Sequence, residues 1–551
     1  MVYHVCHIAL KDISGAFLPD RISSSAEKGI VQCFAVPDPC KAENIVDHDE
    51  FLKFINKLEL LKLEETCLTL SIPKLRQKWG SMSKEARASV AYALCSIVQK
   101  CISFINMPIF TRLMSTDEYG EMTVYSSWSG IFSIVLTLNL AYGSFSPAML
   151  KFEKDRDRYI SSIQGIWLVL SGFFLMIYLP LQGFWNDILD LPTLFVIFLI
   201  LETLSINSIN LWSGKKRFDY EYKPVVALTL LMSVANTAVS LAFVLLSEQK
   251  GTARIWGHVV VTAAFGIIIF SLNAVRGKSV FHKEYWKYAL GFNIPLLAYY
   301  LSQMIFNQSD RLMINHYCGK GKAAIYGVAY TWAMVLIFVL NAINNSYVPW
   351  FYKKIKEGRE EENAKVANGI AVLMAGLIMC IVIMAPEVIL IIGGEKYAEA
   401  IWSIPPVAIS LLLLFYAQLF INVQFYYEKK KDLVYASIGA AAANIILNAI
   451  LIPHVSYIAA GYTTMISYII FAAMNYYTMR KVAKESGFSM KALDIKMLLL
   501  IFIAFTAACF IMMATYKLII VRYAIVLAGA IAAVIKRREL MKFVNNTVKH
   551  K

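Results

Sequence analysis

Charge is what this sequence has little of. Of its 551 residues, 17% are Asp, Glu, Lys or Arg and 58% are apolar, with a mean hydropathy of +0.56. A soluble domain carries about a quarter charged residues. The shortage excludes a single soluble core, because apolar runs recur after residue 88 and several reach the roughly 20 residues that cross a bilayer. Period-two alternation is also missing, which excludes a β-barrel. Backbone groups in lipid must be paired within their own segment, so the runs are helices and the fold class is all-α and polytopic.

Catalytic and cofactor signatures are absent too. There is no Walker loop, so ATP bound to this chain is not the energy source, and no Gly-x-Ser-x-Gly or His-Glu-x-x-His site. Nine cysteines are scattered. Cys6, Cys33, Cys40 and Cys67 lack zinc-type spacing, while Cys95, Cys101, Cys380 and Cys509 sit inside apolar runs. His4, Cys6 and His7 lie close together without a second ligand pair. We therefore expect no enzyme and no metal or organic cofactor, leaving H+ or Na+ as coupling ions.

What is present is organised charge. The net +15 would suit nucleic acid in a soluble protein, but here the Lys and Arg residues lie in short loops between apolar runs and read as topology. Fourteen spans are predicted at 88–110, 122–145, 160–181, 191–212, 224–246, 254–274, 289–314, 323–348, 366–390, 400–424, 433–453, 456–478, 495–515 and 518–535. With the N-terminus inside, inner loops and flanks carry roughly 36 Lys and Arg and outer positions roughly 9, which places both termini in the cytoplasm. Inner clusters such as Lys215-Lys216-Arg217 and Lys429-Lys430-Lys431 read as topology determinants and lipid-headgroup contacts. Outer loops such as 115–120 and 453–457 are too short for a domain.

The N-terminus is mixed polar and apolar, not a secretory signal. Residues 1–81 are expected to be a cytosolic extension or, with slightly more weight, sequence upstream of a natural start at Met82. Beyond them we expect an N-lobe at 82–274, a C-lobe at 289–478, and two last spans with a basic tail at 495–551.

The lobe division rests on a repeat. Leu138-Asn139, Ser144-Phe145 and Pro147 have the spacing of Leu340-Asn341, Ser346-Tyr347 and Pro349. Each block leads to a matching helix start, Gly165-Ile166 with Gly172 and Gly369-Ile370 with Gly376, and Arg112-Leu113-Met114 matches Arg311-Leu312-Met313. Copies separated by six spans share an orientation, so their pseudo-two-fold axis lies along the membrane normal. In transporters such an axis places a cavity between the lobes.

Polar residues inside the spans mark that cavity. Gln99, Lys100, Ser103 and Asn106 share an arc of span one about 120° wide. Lys100 lies ~18 Å from the inner end, too deep for easy snorkelling. It either binds an anionic head group or pairs with Glu202, which sits in mid-span four and is otherwise a proton or Na+ carrier. Span seven presents Tyr299, Tyr300, Gln303, Asn307, Asp310 and Arg311 on a similar arc. Amides and aromatic rings there suit sugars, and Asp310 is a second candidate ion carrier; an exposed interfacial pair with Arg311 is the alternative. Asn139 and Asn341, the repeated asparagines, complete the candidate substrate residues. Pro108 and Pro295 are expected to bend spans one and seven.

Gln99-Lys100 followed by Pro108-Ile-Phe-Thr-Arg-Leu-Met-Ser-Thr-Asp-Glu-Tyr-Gly120, with Ser309-Asp310-Arg311-Leu312-Met313-Ile314, resembles the O-antigen-type polysaccharide exporters. These belong to the multidrug/oligosaccharidyl-lipid/polysaccharide exporter superfamily. The resemblance covers residues 82–535. It implies two six-helix lobes forming a V, two extra C-terminal helices, and residence in the inner membrane of a prokaryote. The implied cargo is a polyprenyl-pyrophosphate-linked oligosaccharide flipped outward, with Lys100 and Arg311 on the pyrophosphate and polysaccharide assembly machinery as a partner. A cation-coupled drug exporter of the same superfamily is the rival, and its cavity should favour acidic residues. A membrane polysaccharide polymerase would need larger outer loops.

Overall fold

The computed structural model describes residues 81–428 and 431–535. Expectations for residues 1–80, for Lys429 and Lys430 and for the tail after 535 lie outside the described residues. The described residues from 83 onward form one compact unit.

Among the described residues every regular element is helical. The N-lobe comprises α1 (Lys84–Leu113), α2 (Thr116–Thr137), α3 (Phe145–Lys151), α4 (Arg156–Tyr178), α5 (Gln182–Leu189), α6 (Thr193–Phe218), α7 (Tyr222–Leu246) and α8 (Lys250–Gly277). The C-lobe comprises α9 (Lys283–Cys318), α10 (Lys320–Ala333), α11 (Ile337–Lys356), α12 (Asn363–Ile383), α13 (Ala385–Gly393), α14 (Ile404–Tyr426), α15 (Lys431–His454) and α16 (Ala459–Ser486). Two further helices follow, α17 (Ile495–Ala514) and α18 (Ile519–Ile535). Helix meets each predicted span, and eleven helical segments are long and apolar enough to cross a membrane. Helices α2, α16 and α18 fall outside that group, so the sequence count of fourteen is not established.

The repeat is legible in the element order. A 3-10 turn precedes α4 at Glu153–Asp155 and α12 at Glu360–Glu362, and a short helix, α5 or α13, follows each. The copies differ where the second span ends. In the N-lobe, Leu138 and Asn139 take positive φ values of 49° and 54°, so α2 stops eight residues short of the predicted 145. In the C-lobe a 3-10 turn at Met334–Leu336 separates α10 from α11. Pro108 and Pro295 lie inside helices assigned without interruption.

Local chemistry sets several boundaries. Ser115 and Glu118 form a reciprocal capping box that starts α2: the Glu118 amide donates to Ser115 Oγ at 3.2 Å and the Ser115 amide to Glu118 Oε2 at 2.7 Å. In the N-lobe, α8 packs against α2, α4, α6 and α7. Gly257 lets α8 approach α7 closely, since a Cβ there would lie 2.5 Å from Ser240 Cα. In the C-lobe, α14 is enclosed by α12, α16 and α17. Leu499, Leu500, Ile503 and Ile511 leave an exposed apolar face on α17, as a lipid-facing helix requires.

The lobes meet at the end that the charge count places outside. The amide of Gly321 donates to Asp117 Oδ1 at 2.9 Å, Arg112 Nη2 to the Ile391 carbonyl at 3.1 Å, and Asn315 Nδ2 to Asp190 Oδ2 at 3.0 Å. Thr111 Oγ1 donates to the Ile392 carbonyl and Lys396 Nζ to that of Met114. Gly120 lies so close to Lys320 that a Cβ would stand 2.1 Å from the Lys320 carbonyl oxygen. These contacts close that end.

Candidate functional site

A cavity of about 760 Å³ lies on the N-lobe side of the lobe junction, walled by α1, α2, α6, α7 and α8 with α9 and α10 of the C-lobe. Its lining runs from Phe110 and Tyr119, beside the closed end, to Ser213 and Arg217 in the last turns of α6. Gln99, Ser103, Asn106 and Arg311 line it, whereas Lys100, on the same predicted arc as the first three, does not.

Three arginines line this space, Arg217, Arg254 and Arg311, together with His258, and no Asp or Glu does. None of the three forms an ion pair among the described residues. Arg254 sits 3.9 Å from the centre of the Phe110 ring, and its Nη1 is buried without a hydrogen-bond partner. Arg311 lies 4.3 Å from the Tyr330 ring and donates from Nη1 to Gln308 Oε1 at 2.7 Å. Arg217 faces the Tyr92 ring at 5.3 Å. Aromatic faces hold these guanidiniums without neutralising them, which leaves their charge for an anion.

Lys100 is not part of the lining. It is exposed on α1 with Nζ 4.2 Å from the Phe338 ring of α11 in the other lobe. The proposed Lys100–Glu202 pair is absent. Glu202 is buried within the N-lobe, where it accepts from Tyr125 Oη at 2.6 Å and Ser129 Oγ at 2.9 Å and faces His258 Nε2 at 3.3 Å. Short hydroxyls and an imidazole nearer than any lysine satisfy the carboxylate.

Asp310 and Arg311 are adjacent but diverge, because consecutive helical residues point about 100° apart. Asp310 turns into the C-lobe and is 1% exposed, which removes the interfacial-pair alternative. Its Oδ2 accepts from Tyr326 Oη at 2.7 Å and Thr464 Oγ1 at 2.5 Å, and its Oδ1 from Asn448 Nδ2 at 2.7 Å. Asn444 Oδ1 accepts from Asn448 Nδ2 at 3.1 Å and from Ser309 Oγ at 2.8 Å, and Thr463 Oγ1 donates to Asn448 Oδ1. No Lys, Arg or His bonds to the carboxylate among the described residues. An ionised carboxylate at such a depth costs several kcal/mol when no cation balances it.

The remaining predicted residues stand elsewhere. Gln303 Nε2 donates to Ser437 Oγ at 3.0 Å, turning toward α15, and Asn307 Nδ2 caps the Gln303 carbonyl at 2.8 Å. Tyr299 packs against Tyr300 with ring centres 5.7 Å apart. Asn139 closes the turn after α2, its carbonyl accepting from Tyr142 and Gly143, and Asn341 is exposed on α11. Arg217, Arg254 and His258 were missed. Arg217 read as one of a topology cluster, whereas Arg254 and His258 are spaced i, i+4 in an apolar span and so share a face.

Residues 86–354 match the family model described as polysaccharide biosynthesis protein. Over this region the chain is similar to that family. Lsg locus putative protein 1 of Haemophilus influenzae is 24% identical over 365 residues, which is 63% of this chain and 86% of the relative. An uncharacterized membrane protein of the same organism is 23% identical over 399 residues, 68% of this chain and 93% of the relative. The fold is similar to the lipid II flippase MurJ in an inward closed conformation, with a TM-score of 0.54 at 12% identity, covering 82% of this chain and all of MurJ. It is also similar to an inward-facing multidrug MATE transporter of the MOP superfamily, with a TM-score of 0.50 at 13% identity, covering 72% of this chain and 99% of that one. The chain is thus a multi-pass membrane protein whose fold is similar to those of these two proteins.

Proposed function

We propose that the protein is a flippase that moves a polyprenyl-pyrophosphate-linked oligosaccharide across the cytoplasmic membrane by alternating access. The observation that carries this reading is the cavity: three arginines, none paired with a carboxylate among the described residues, with amides and hydroxyls around them. Arg254 and Arg311 lie on helices of opposite lobes and hold the pyrophosphate; Gln99, Asn106 and Asn210 meet the sugar. The lipid tail stays in the bilayer, and Lys100 stands where the head group enters between α1 and α11. The chain's termini are cytoplasmic, and glycan assembly enzymes supply and consume the cargo.

A cation-coupled drug exporter is disfavoured because a cationic drug would face three guanidiniums and no lining carboxylate. For energy, we assign Asp310 as the carrier of H+ or Na+: its carboxylate is buried, held only by the neutral donors Tyr326, Thr464 and Asn448, and no fixed positive charge bonds to it among the described residues. The test is the surface glycan of cells carrying Arg254→Ala or Arg311→Ala. Loss of glycan, with the lipid-linked precursor accumulating and the protein still abundant in the membrane, is expected. Normal glycan at normal abundance for both variants would contradict the reading.

A further inference from the structure

The N-lobe has an ionisable centre of its own. Glu202 on α6 is 4% exposed, and its carboxylate is held by Tyr125 and Ser129 from α2 and by His258 from α8. The His258 side chain is 24% exposed and lines the cavity, so the imidazole stands between the buried acid and the cavity. On its far side, Asn236 Nδ2 of α7 lies 2.7 Å from His258 Nδ1. An amide nitrogen only donates, so Nδ1 supplies the lone pair and the ring proton sits on Nε2, directed at Glu202 Oε1. In this form the ring is neutral and the carboxylate carries one uncompensated charge.

We propose that His258 is a reversible proton-binding site in the cavity wall, with Glu202 as its fixed counter-charge and Asn236 as the amide that changes face. A proton arriving from the cavity adds to the Nδ1 lone pair and no other bond breaks. The imidazolium keeps Nε2–H toward Glu202, while Asn236 rotates its side-chain amide so that Oδ1 accepts the new Nδ1–H. The pair then passes from one net negative charge to none. Asn236 also lines the cavity, and apart from His258 its amide has one long contact, Ser240 Oγ donating to its Oδ1 at 3.5 Å, to give up on turning.

The surrounding charges are few. Glu202 is the ionisable group that α6 brings to the ring, and Tyr125 the one from α2; Glu121 of α2 lies toward the closed end beside Thr252. Arg254 stands one turn away on α8 itself, and Arg311 of α9 and Arg217 of α6 share the cavity. Tyr222 and Lys223 stand in the first turn of α7, and Arg156, Asp157 and Arg158 in that of α4, where Asp157 meets Gly277 at the opposite end of α8. Glu202 therefore supplies the nearest negative charge.

Gly257-His258 is the one Gly–His pair in the sequence. Carbonyl-labelled glycine with nitrogen-labelled histidine thus identifies this ring by solid-state NMR of the full chain in lipid bilayers, without a variant. At pH 8 the expected spectrum is a neutral ring protonated on Nε2. At pH 5 it is a doubly protonated ring, reversing on return to pH 8. In Glu202→Gln, which keeps an acceptor oxygen but removes the charge, the doubly protonated fraction at pH 5 should fall clearly below that of wild type. A wild-type ring that stays neutral at pH 5, or is doubly protonated at pH 8, overturns the proposal. An unchanged fraction in folded Glu202→Gln overturns the role of Glu202 as counter-charge. Because the readout is a proton on one ring, its failure leaves the glycan-lipid reading standing, and the reverse is equally true.

Discussion

Arg254 shows how a single side chain can set the sign of a cavity. Its guanidinium rests on Phe110 with one nitrogen unpaired, and an anion that completes its hydrogen bonds gains about 1.5–3 kcal/mol per charged contact. Removing Arg254 or Arg311 should therefore weaken cargo binding by about 10- to 100-fold each, measurable as the concentration of lipid-linked oligosaccharide that half-saturates flipping in vesicles. Lys100→Ala should cost less, because Lys100 lies outside the cavity lining and its ammonium leans on Phe338. Asp310→Asn should keep the Tyr326 and Thr464 contacts and fold normally, yet flip cargo at a rate indifferent to an imposed proton or Na+ gradient. A gradient response equal to wild type would remove Asp310 from the coupling role. The polar positions on spans one and seven were legible because polar groups in an apolar run are conspicuous. Which of them share a cavity was not: Asp310 and Arg311 are neighbours in sequence, but a 100° turn sends one into the C-lobe and the other to the cavity. Glu202 was visible as a buried acid, but its partners are hydroxyls and a histidine distant in sequence.

The helices translate these residues into a gate. The start of α2, fixed by its capping box, lies against the start of α10, and Gly120 permits the contact because it has no Cβ to meet Lys320. Gly120→Ala should prevent this closure and shift the population toward an outward-open form. In a cysteine-depleted background, a cysteine introduced at Thr123 in the cavity lining should then react several-fold faster with an impermeant thiol reagent added outside; an unchanged rate would show that the contact is not a gate. The helices themselves were legible from apolar run length, which lipid enforces directly. Their ends were less so. The stop after Thr137 depends on Leu138 and Asn139 adopting left-handed backbone, for which the sequence carries no glycine as a signal. Nor did Pro108 and Pro295 break the helices assigned around them.

At the scale of the molecule, two copies of one helical plan face each other across a space that only one lobe chiefly lines. The repeat led to the expectation of two lobes. It could not foretell that the N-lobe would supply most of the cationic wall while the C-lobe would bury the oxygen-rich Asp310 site, since that asymmetry depends on where residues outside the repeated motifs point. The proposed division of labour is that cargo charge is read at the junction and ion charge inside the C-lobe. The most direct test is flipping by the purified full chain in vesicles. A fluorescent polyprenyl-pyrophosphate oligosaccharide is placed in one leaflet and its arrival in the other is measured, beside a cationic dye as competitor. We expect wild type to move the glycan lipid and leave the dye, and the Arg254→Ala, Arg311→Ala double variant to move neither. Dye transport without movement of the glycan lipid would contradict the account.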